Sequence, residues 1–153
     1  MEISVQDRGK YLRGMLLLIG KDQQILEHEK SWFFELSKIL GYDKEFCKGA
    51  LKELPDNEYL ESSPPKFDNK EIAKAFIVDG IHLAYADREM VPAELVWINS
   101  VAEINGVDIL WGMQEYEKFR HHKFSETDVH RFEIEKLFDK VNSQLVNENI
   151  NSN

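Results

Sequence analysis

The chain aligns with itself without a gap when residues 11–43 are placed on residues 76–108, an offset of 65 residues. Seven of the 33 aligned positions are identical, where average residue usage would give about two. A repeated helical unit of this length cannot bury its apolar face alone. The alignment therefore predicts two copies packed on each other with approximate two-fold symmetry. The identical pairs are Leu18 and Leu83, Asp22 and Asp87, Glu29 and Glu94, Trp32 and Trp97, Ile39 and Ile104, Gly41 and Gly106, and Asp43 and Asp108.

Apolar residues recur at the spacing of a buried helix face along most of the chain. Near the N-terminus, Leu12, Met15, Leu16 and Ile19 follow the i, i+3, i+4, i+7 pattern. No stretch shows the alternation that is typical of a β-strand. We expect an all-α fold, with about seven helices in a bundle. The residues expected to cap, start or end these helices are Gly41, Asp43, Pro55, Pro92, Gly106, Asp108 and Ser125.

The length of 153 residues is enough for one well-buried core and too short for two ordinary domains. We expect a single domain over residues 1–147, with the repeats at about 11–54 and 76–119. Three of the four prolines fall within residues 55–68, which predicts a surface linker between the two halves. The polar residues 148–153 are expected to form a disordered tail.

The chain carries 28 acidic and 19 basic residues, a net charge of −9. Such a surface repels nucleic acid and anionic lipid, and it favours cations or a basic partner. The single cysteine, Cys47, excludes an internal disulfide and is expected to pack as a small apolar residue. The apolar run at residues 15–19 is too short to cross a membrane, and acidic residues precede it where a signal peptide would be basic. These features predict a cytoplasmic protein without membrane insertion.

An acidic pair occurs once in each repeat, its members seven residues apart: Asp22 with Glu29, and Asp87 with Glu94. Asp79 lies two helical turns before Asp87 and is a further candidate. Carboxylates without Cys or His at ligand spacing suit Ca²⁺ or Mg²⁺ and not Zn²⁺. If the two halves pack face to face, four or five of these carboxylates could converge to hold a divalent cation.

The same residues have an ordinary structural interpretation. An Asp at the start of a loop caps backbone amides, and a Glu in a first helical turn complements the helix dipole. The spacing also lacks the alternating acids and central glycine of an EF-hand loop. Trp32 and Trp97 are expected to be core anchors. No catalytic residue can be assigned, since the sequence shows neither a phosphate-binding glycine loop nor a Ser/His/Asp arrangement.

The repeated motif resembles the TerB-like domain of tellurite-resistance proteins. Residues 83–87 (LAYAD), Glu94 and residues 104–107 (INGV) carry the resemblance in the second half, and residues 22–29 and 39–43 carry it in the first. The resemblance covers about residues 10–110. It implies an all-helical fold with two pseudo-symmetric halves, acidic residues gathered between them, and a proposed divalent-metal site. It also implies a role in resistance to tellurite and other stresses.

The chain departs from the family pattern directly after each motif aspartate. Gln23 and Arg88 stand where the family usually has glycine, and a cation at Arg88 would compete with a metal near Asp87. We expect a non-enzymatic stress-response module that binds a divalent cation, a partner protein or both through its acidic face. The alternatives are a metal-dependent hydrolase and a metal-free structural adaptor. The sequence leaves the partner and the oligomeric state open.

Overall fold

The computed structural model describes residues 3–21, 27–53, 63–85, 90–121 and 132–151, the side chains of Tyr85 and 145–151 excepted. These residues form seven α-helices and no strand, which confirms the predicted all-α class. None of these helices combines the length and the apolar character needed to cross a membrane. The helices are α1 Val5–Ile19, α2 Glu27–Leu40, α3 Lys44–Glu53, α4 Lys70–Tyr85, α5 Pro92–Ile104, α6 Ile109–His121 and α7 Glu133–Asn151.

Side chains that accept hydrogen bonds from nearby amides mark the start of four helices. Ser4 precedes α1 and accepts at 3.0 Å from an amide three residues on, and Asn69 does the same before α4 at 3.0 Å. Asp43 precedes α3 and accepts at 2.7 Å, and Asp108 precedes α6 and accepts at 2.9 Å. Such short side chains satisfy amides that have no partner within the helix. The predicted starts at Asp43 and Asp108 are confirmed.

Two glycines with positive φ follow the ends of α2 and α5. Gly41 has φ of +93° and Gly106 has φ of +67°, a conformation that side chains with a Cβ adopt at a cost. The next amide, of Tyr42 or Val107, donates at 2.9 Å to the carbonyl five residues back in both cases. This is the hydrogen bond of a helix-ending glycine turn. The predicted helix ends are therefore confirmed at both glycines.

Helix α4 lies at the centre of the fold and packs against α1, α2, α5, α6 and α7. Its apolar stripe includes the buried Phe76 and Ile77. The ring of Tyr11 on α1 meets that of Phe76 edge-on, with 5.1 Å between centroids. Gly14 permits this close approach, because a Cβ there would lie 2.7 Å from the Phe76 ring. The core is thus organised around the second helix pair, α4 and α5, and the helices packed on α4.

Two residues in the described part of the predicted linker are buried, whereas Ser63, Lys66 and Asp68 are exposed. Pro65 is buried, and Phe67 is 6% exposed with its ring beside that of Tyr11. The Asn105 side chain, after α5, donates to the Pro65 carbonyl and accepts from the Phe67 amide, both at 2.8 Å. These contacts join residues about 40 apart, so no local pattern could indicate them. The predicted surface position was therefore wrong for Pro65 and Phe67. Residues 55–62 of the predicted linker lie outside the described ranges.

The last helix differs from the prediction at both ends. It begins at Glu133, eight residues after the expected cap Ser125, which is itself outside the described residues. It continues to Asn151, so residues 148–151 are helical where a disordered tail was expected. Residues 152–153 lie outside the structure's description.

Helix α3 buries only a narrow face. It packs chiefly against α2, and Cys47 and Leu51 supply its buried side chains. Cys47 is fully buried, which confirms its expected packing role. Phe46 is 55% exposed and stacks on Tyr42, with 5.4 Å between ring centroids. One neighbouring helix is enough to cover Cys47 and Leu51 but leaves the flank with Phe46 in solvent.

Candidate functional site

The five acidic residues predicted from the sequence differ in what the structure says of them. Asp22 and Asp87 lie outside the described residues. Glu29 and Glu94 lie in the first turns of α2 and α5, as predicted, and are 2% and 3% exposed. Asp79 lies in α4 and is 1% exposed. All three described candidates are therefore buried carboxyl groups rather than parts of a solvated acidic face.

Glu94 takes part in the start of α5. Its Oε1 accepts a hydrogen bond from the Val91 amide at 2.9 Å. This is the glutamate half of a capping box; valine has no side-chain acceptor to supply the other half. Pro92 occupies the first helical turn, where its missing N–H costs nothing. At least one oxygen of Glu94 therefore serves the start of α5, the ordinary structural role predicted for a glutamate in a first helical turn.

Glu29 is the third residue of α2, as Glu94 is the third residue of α5. Both carboxyl groups are almost fully removed from solvent. Burying an ionised carboxylate is costly unless donors, a cation or a proton compensate its charge. The two glutamates are thus corresponding buried acids, each seven residues after the motif aspartate of its own repeat.

A complete metal centre is not present among the described residues, where no three His, Cys, Asp or Glu side chains are placed to hold an ion. Glu29, Asp79 and Glu94 therefore do not form a three-ligand site by themselves. The predicted site requires Asp22 and Asp87, both of which lie in ranges that the structure does not describe. The described part contributes two buried glutamates to it.

Asp79 anchors the start of α7. The Tyr11 hydroxyl donates to its Oδ2 at 2.6 Å, and the Ile134 amide donates to the same oxygen at 3.2 Å. The Glu133 amide donates to its Oδ1 at 2.8 Å. These two amides are among those that the start of a helix leaves without an internal partner. Asp79 thus caps α7 from another helix, which explains why α7 begins at Glu133.

The environment of Asp79 favours its neutral form. Burial raises the pKa of this carboxyl from its ordinary value of 3.8 to about 7, against the three hydrogen bonds that stabilise the carboxylate. Burial and the neighbouring Asp79 charge also raise the pKa of Tyr11 well above its ordinary value of 10.0, so its hydroxyl remains a donor. Asp79 therefore exchanges its proton near neutral pH. In the sequence, the position of Asp79 within the apolar stripe of α4 indicates a buried carboxyl group.

Asp7 is a buried acid that sequence reasoning did not single out. It is fully buried on α1, and its Oδ1 accepts from the Asp68 amide at 3.3 Å. Its Oδ2 is buried without a hydrogen-bond partner among the residues that the structure describes. Burial raises the pKa of Asp7, and the Asp68 charge raises it further. The residue 65 positions further on, in the helix that corresponds to α1, is the core residue Ile72, which indicates why an acid here is buried.

Comparison of the chain with protein-family models, with curated proteins and with solved structures gave no match in any of the three. The TerB-like resemblance accordingly depends on the sequence motif itself, at residues 22–29 and 39–43 and at residues 83–87, 94 and 104–107.

Proposed function

We propose that the chain is a non-enzymatic, TerB-like module built from two copies of one three-helix unit. The helix bounds support this duplication. The starts of α1 and α4, of α2 and α5, and of α3 and α6 are each 65 residues apart, the offset that aligns the sequence with itself. The pattern of helix contacts also supports it, since α1 packs against α5 and α2 packs against α4. Reciprocal contacts of this kind are what two-fold related units would make.

The details at the helix ends support the same interpretation. Gly41 and Gly106 are 65 residues apart, have positive φ and are followed by equivalent hydrogen bonds. Ser4 and Asn69 are also 65 residues apart, and each caps the helix that follows it. A single turn of this kind is common, but two matching pairs of helix termini at one offset favour duplication of the whole unit.

We propose further that the module binds one divalent cation, Ca²⁺ or Mg²⁺, through Asp22, Glu29, Asp87 and Glu94. The observation that carries this proposal is the burial of Glu29 and Glu94 at the same position of two corresponding helices. A shared cation would compensate both charges, and carboxylate oxygens are the ligands that these ions prefer. We leave Asp79 out of the ligand set, because its two oxygens already accept three hydrogen bonds.

A metal-free adaptor that binds a partner protein is the second candidate. It is favoured by the structural use of two of the predicted ligands. Glu94 accepts from the Val91 amide, and Asp79 anchors α7. Under this alternative the repeated acids serve helix starts, and the chain binds its partner protein through another part of its surface. The stress-response setting in both cases follows from the TerB-like resemblance.

Thermal unfolding of the full chain with Ca²⁺, Mg²⁺, Mn²⁺ or a chelator distinguishes these candidates. A ligand that binds only the folded state raises the midpoint, and an ion at one hundred times its Kd adds about 2.7 kcal/mol. For a chain of this length that corresponds to a rise in Tm of roughly 5–10 °C. Glu29→Gln and Glu94→Gln should each reduce the rise, while Glu53→Gln, an exposed change on α3, should leave it intact.

Two results would reject the cation and leave the adaptor. The first is an unchanged midpoint at millimolar concentrations of each ion. The second is a rise that persists in full when Asp22→Asn and Asp87→Asn are combined, because the proposed site cannot hold an ion without those carboxylates.

A further inference from the structure

A cleft of about 280 Å³ lies where α4, α6 and α7 meet. Three lysines line it, Lys74 from α4 and Lys136 and Lys140 from α7. Trp111 from α6 and Leu137 from α7 supply apolar wall. We call this feature the lysine cleft. It concentrates basic side chains around an aromatic ring in a chain whose net charge is −9.

The charges of the lysine cleft are only partly compensated by its own acids. Glu71 and Glu133 also line it, which leaves one lysine in excess. Lys136 pairs with Glu133, with 2.9 Å between Nζ and Oε1. The Nζ of Lys74 lies 5.4 Å from the centroid of the Trp111 ring, a cation–π contact. An incoming carboxylate can therefore approach Lys74 and Lys140 without displacing the pair on α7.

The walls of the cleft are held in place before any ligand arrives. The Asp79 anchor binds the amides of Glu133 and Ile134, which fixes the start of α7 against α4. Lys136 and Lys140 follow one and two turns later on the same helix, and Lys74 lies on α4. A site that needs no rearrangement on binding avoids the ordering cost that otherwise reduces affinity.

We propose that the lysine cleft docks an acidic segment of a partner protein. One apolar side chain of that segment packs against Trp111 and Leu137, and its flanking carboxylates pair with Lys74 and Lys140. Charge complementarity favours this occupant, since the chain as a whole repels acidic ligands and the lysine cleft is a local excess of basic side chains. The volume is slightly below the usual 300–1,000 Å³ range of small-molecule pockets, which favours a single anchoring side chain. The proposal gives the chemistry of the partner and rests on the adaptor part of the proposed function.

The test is fluorescence anisotropy of a dye-labelled heptapeptide that has one phenylalanine between two runs of three glutamates. Titration with the full chain at low salt should give saturable binding, weakened by added salt because exposed charges are screened beyond about 10 Å at 0.1 M. Lys74→Glu and Lys140→Glu should each weaken binding about three- to tenfold. A peptide with serine for phenylalanine should bind about tenfold more weakly or worse, because the buried ring is lost.

Lys52→Glu is the matched control, since it makes the same charge change at an exposed position on α3, away from the cleft. Equal weakening by Lys52→Glu would mean general charge attraction and would overturn the proposal. So would equal affinity for the serine peptide, or no binding at millimolar protein. Lys74→Gln provides a second variant if charge reversal at this half-buried site disturbs the fold.

Other occupants of the cleft give distinct results in the same experiment. A dimer in sedimentation that Lys140→Glu abolishes would assign the cleft to a second copy of the chain. Displacement of the peptide by micromolar inorganic phosphate would assign it to a small anion. Either result overturns the proposal. The cation is tested separately by the midpoint shifts above, so an ion response without peptide binding rejects the cleft alone, and peptide binding without an ion response rejects the cation alone.

Discussion

The proton on Asp79 gives the structure a specific pH dependence. The folded state raises the pKa of this carboxyl to about 7 from an ordinary value of 3.8, so it binds a proton more tightly than the unfolded chain does. The stabilisation that this proton provides is complete below about pH 4 and is lost as the pH rises through 7. Between pH 8 and pH 5 the folded state therefore gains stability from Asp79.

The size of this gain in stability follows from the linkage between proton binding and folding. Between pH 7 and pH 5 the group is protonated in the folded state and ionised in the unfolded chain, and each pH unit contributes about 1.4 kcal/mol. Asp79 should thus add about 2–3 kcal/mol to the free energy of unfolding on going from pH 8 to pH 5. Asp79→Asn removes the titrating group and should remove this increment, whatever its effect at one fixed pH.

Urea unfolding of the wild type and of Asp79→Asn at pH 5, 6, 7 and 8 measures the increment. It is the change with pH in the difference between their free energies of unfolding. Other groups with raised pKa, such as Asp7, titrate in both proteins and cancel. Asp108→Asn is the matched control, because it exchanges an exposed capping aspartate for an equally good capping residue. If the stability difference between wild type and Asp79→Asn stays constant within about 0.5 kcal/mol over this range, the buried, titrating anchor is refuted.

Two further predictions concern the contacts around α1. Tyr11→Phe removes the hydroxyl that donates to the anchor and should cost about 1–3 kcal/mol in urea unfolding; it should also extend the pH-dependent gain to higher pH, since the carboxylate loses a donor. Gly14→Ala would place a Cβ 2.7 Å from the Phe76 ring and should destabilise by about 1–3 kcal/mol. Gly49→Ala on α3 is its control, because open space surrounds that site, and should raise the thermal midpoint through up to about 1 kcal/mol of helix propensity. A neutral or stabilising Gly14→Ala would contradict the close packing of α1 on α4.

The helix termini that the sequence predicted correctly depend on neighbouring residues. Asp43 and Asp108 accept from amides two or three residues away, and Gly41 and Gly106 end their helices through carbonyls a few residues back. Such interactions are complete within one turn, so composition and spacing indicate them directly. The same holds for the first-turn positions of the two motif glutamates.

Tertiary packing decided the features that spacing could not indicate. The cap of α7 comes from Asp79, 54 residues earlier in the chain, and the segment before α4 is buried through Asn105, 40 residues after Pro65. Acidic residues look alike in sequence, but their pKa and partners depend on whether packing removes them from water.

The sequence by itself therefore determined the all-α class, the helix termini around residues 41–43 and 106–108, and the repeated acidic motif, because local hydrogen bonds and apolar periodicity specify them. Only the tertiary structure showed that Glu29 and Glu94 are buried, that Asp79 anchors a helix, and that three lysines line one cleft. Burial and juxtaposition are properties of elements brought together from distant parts of the chain.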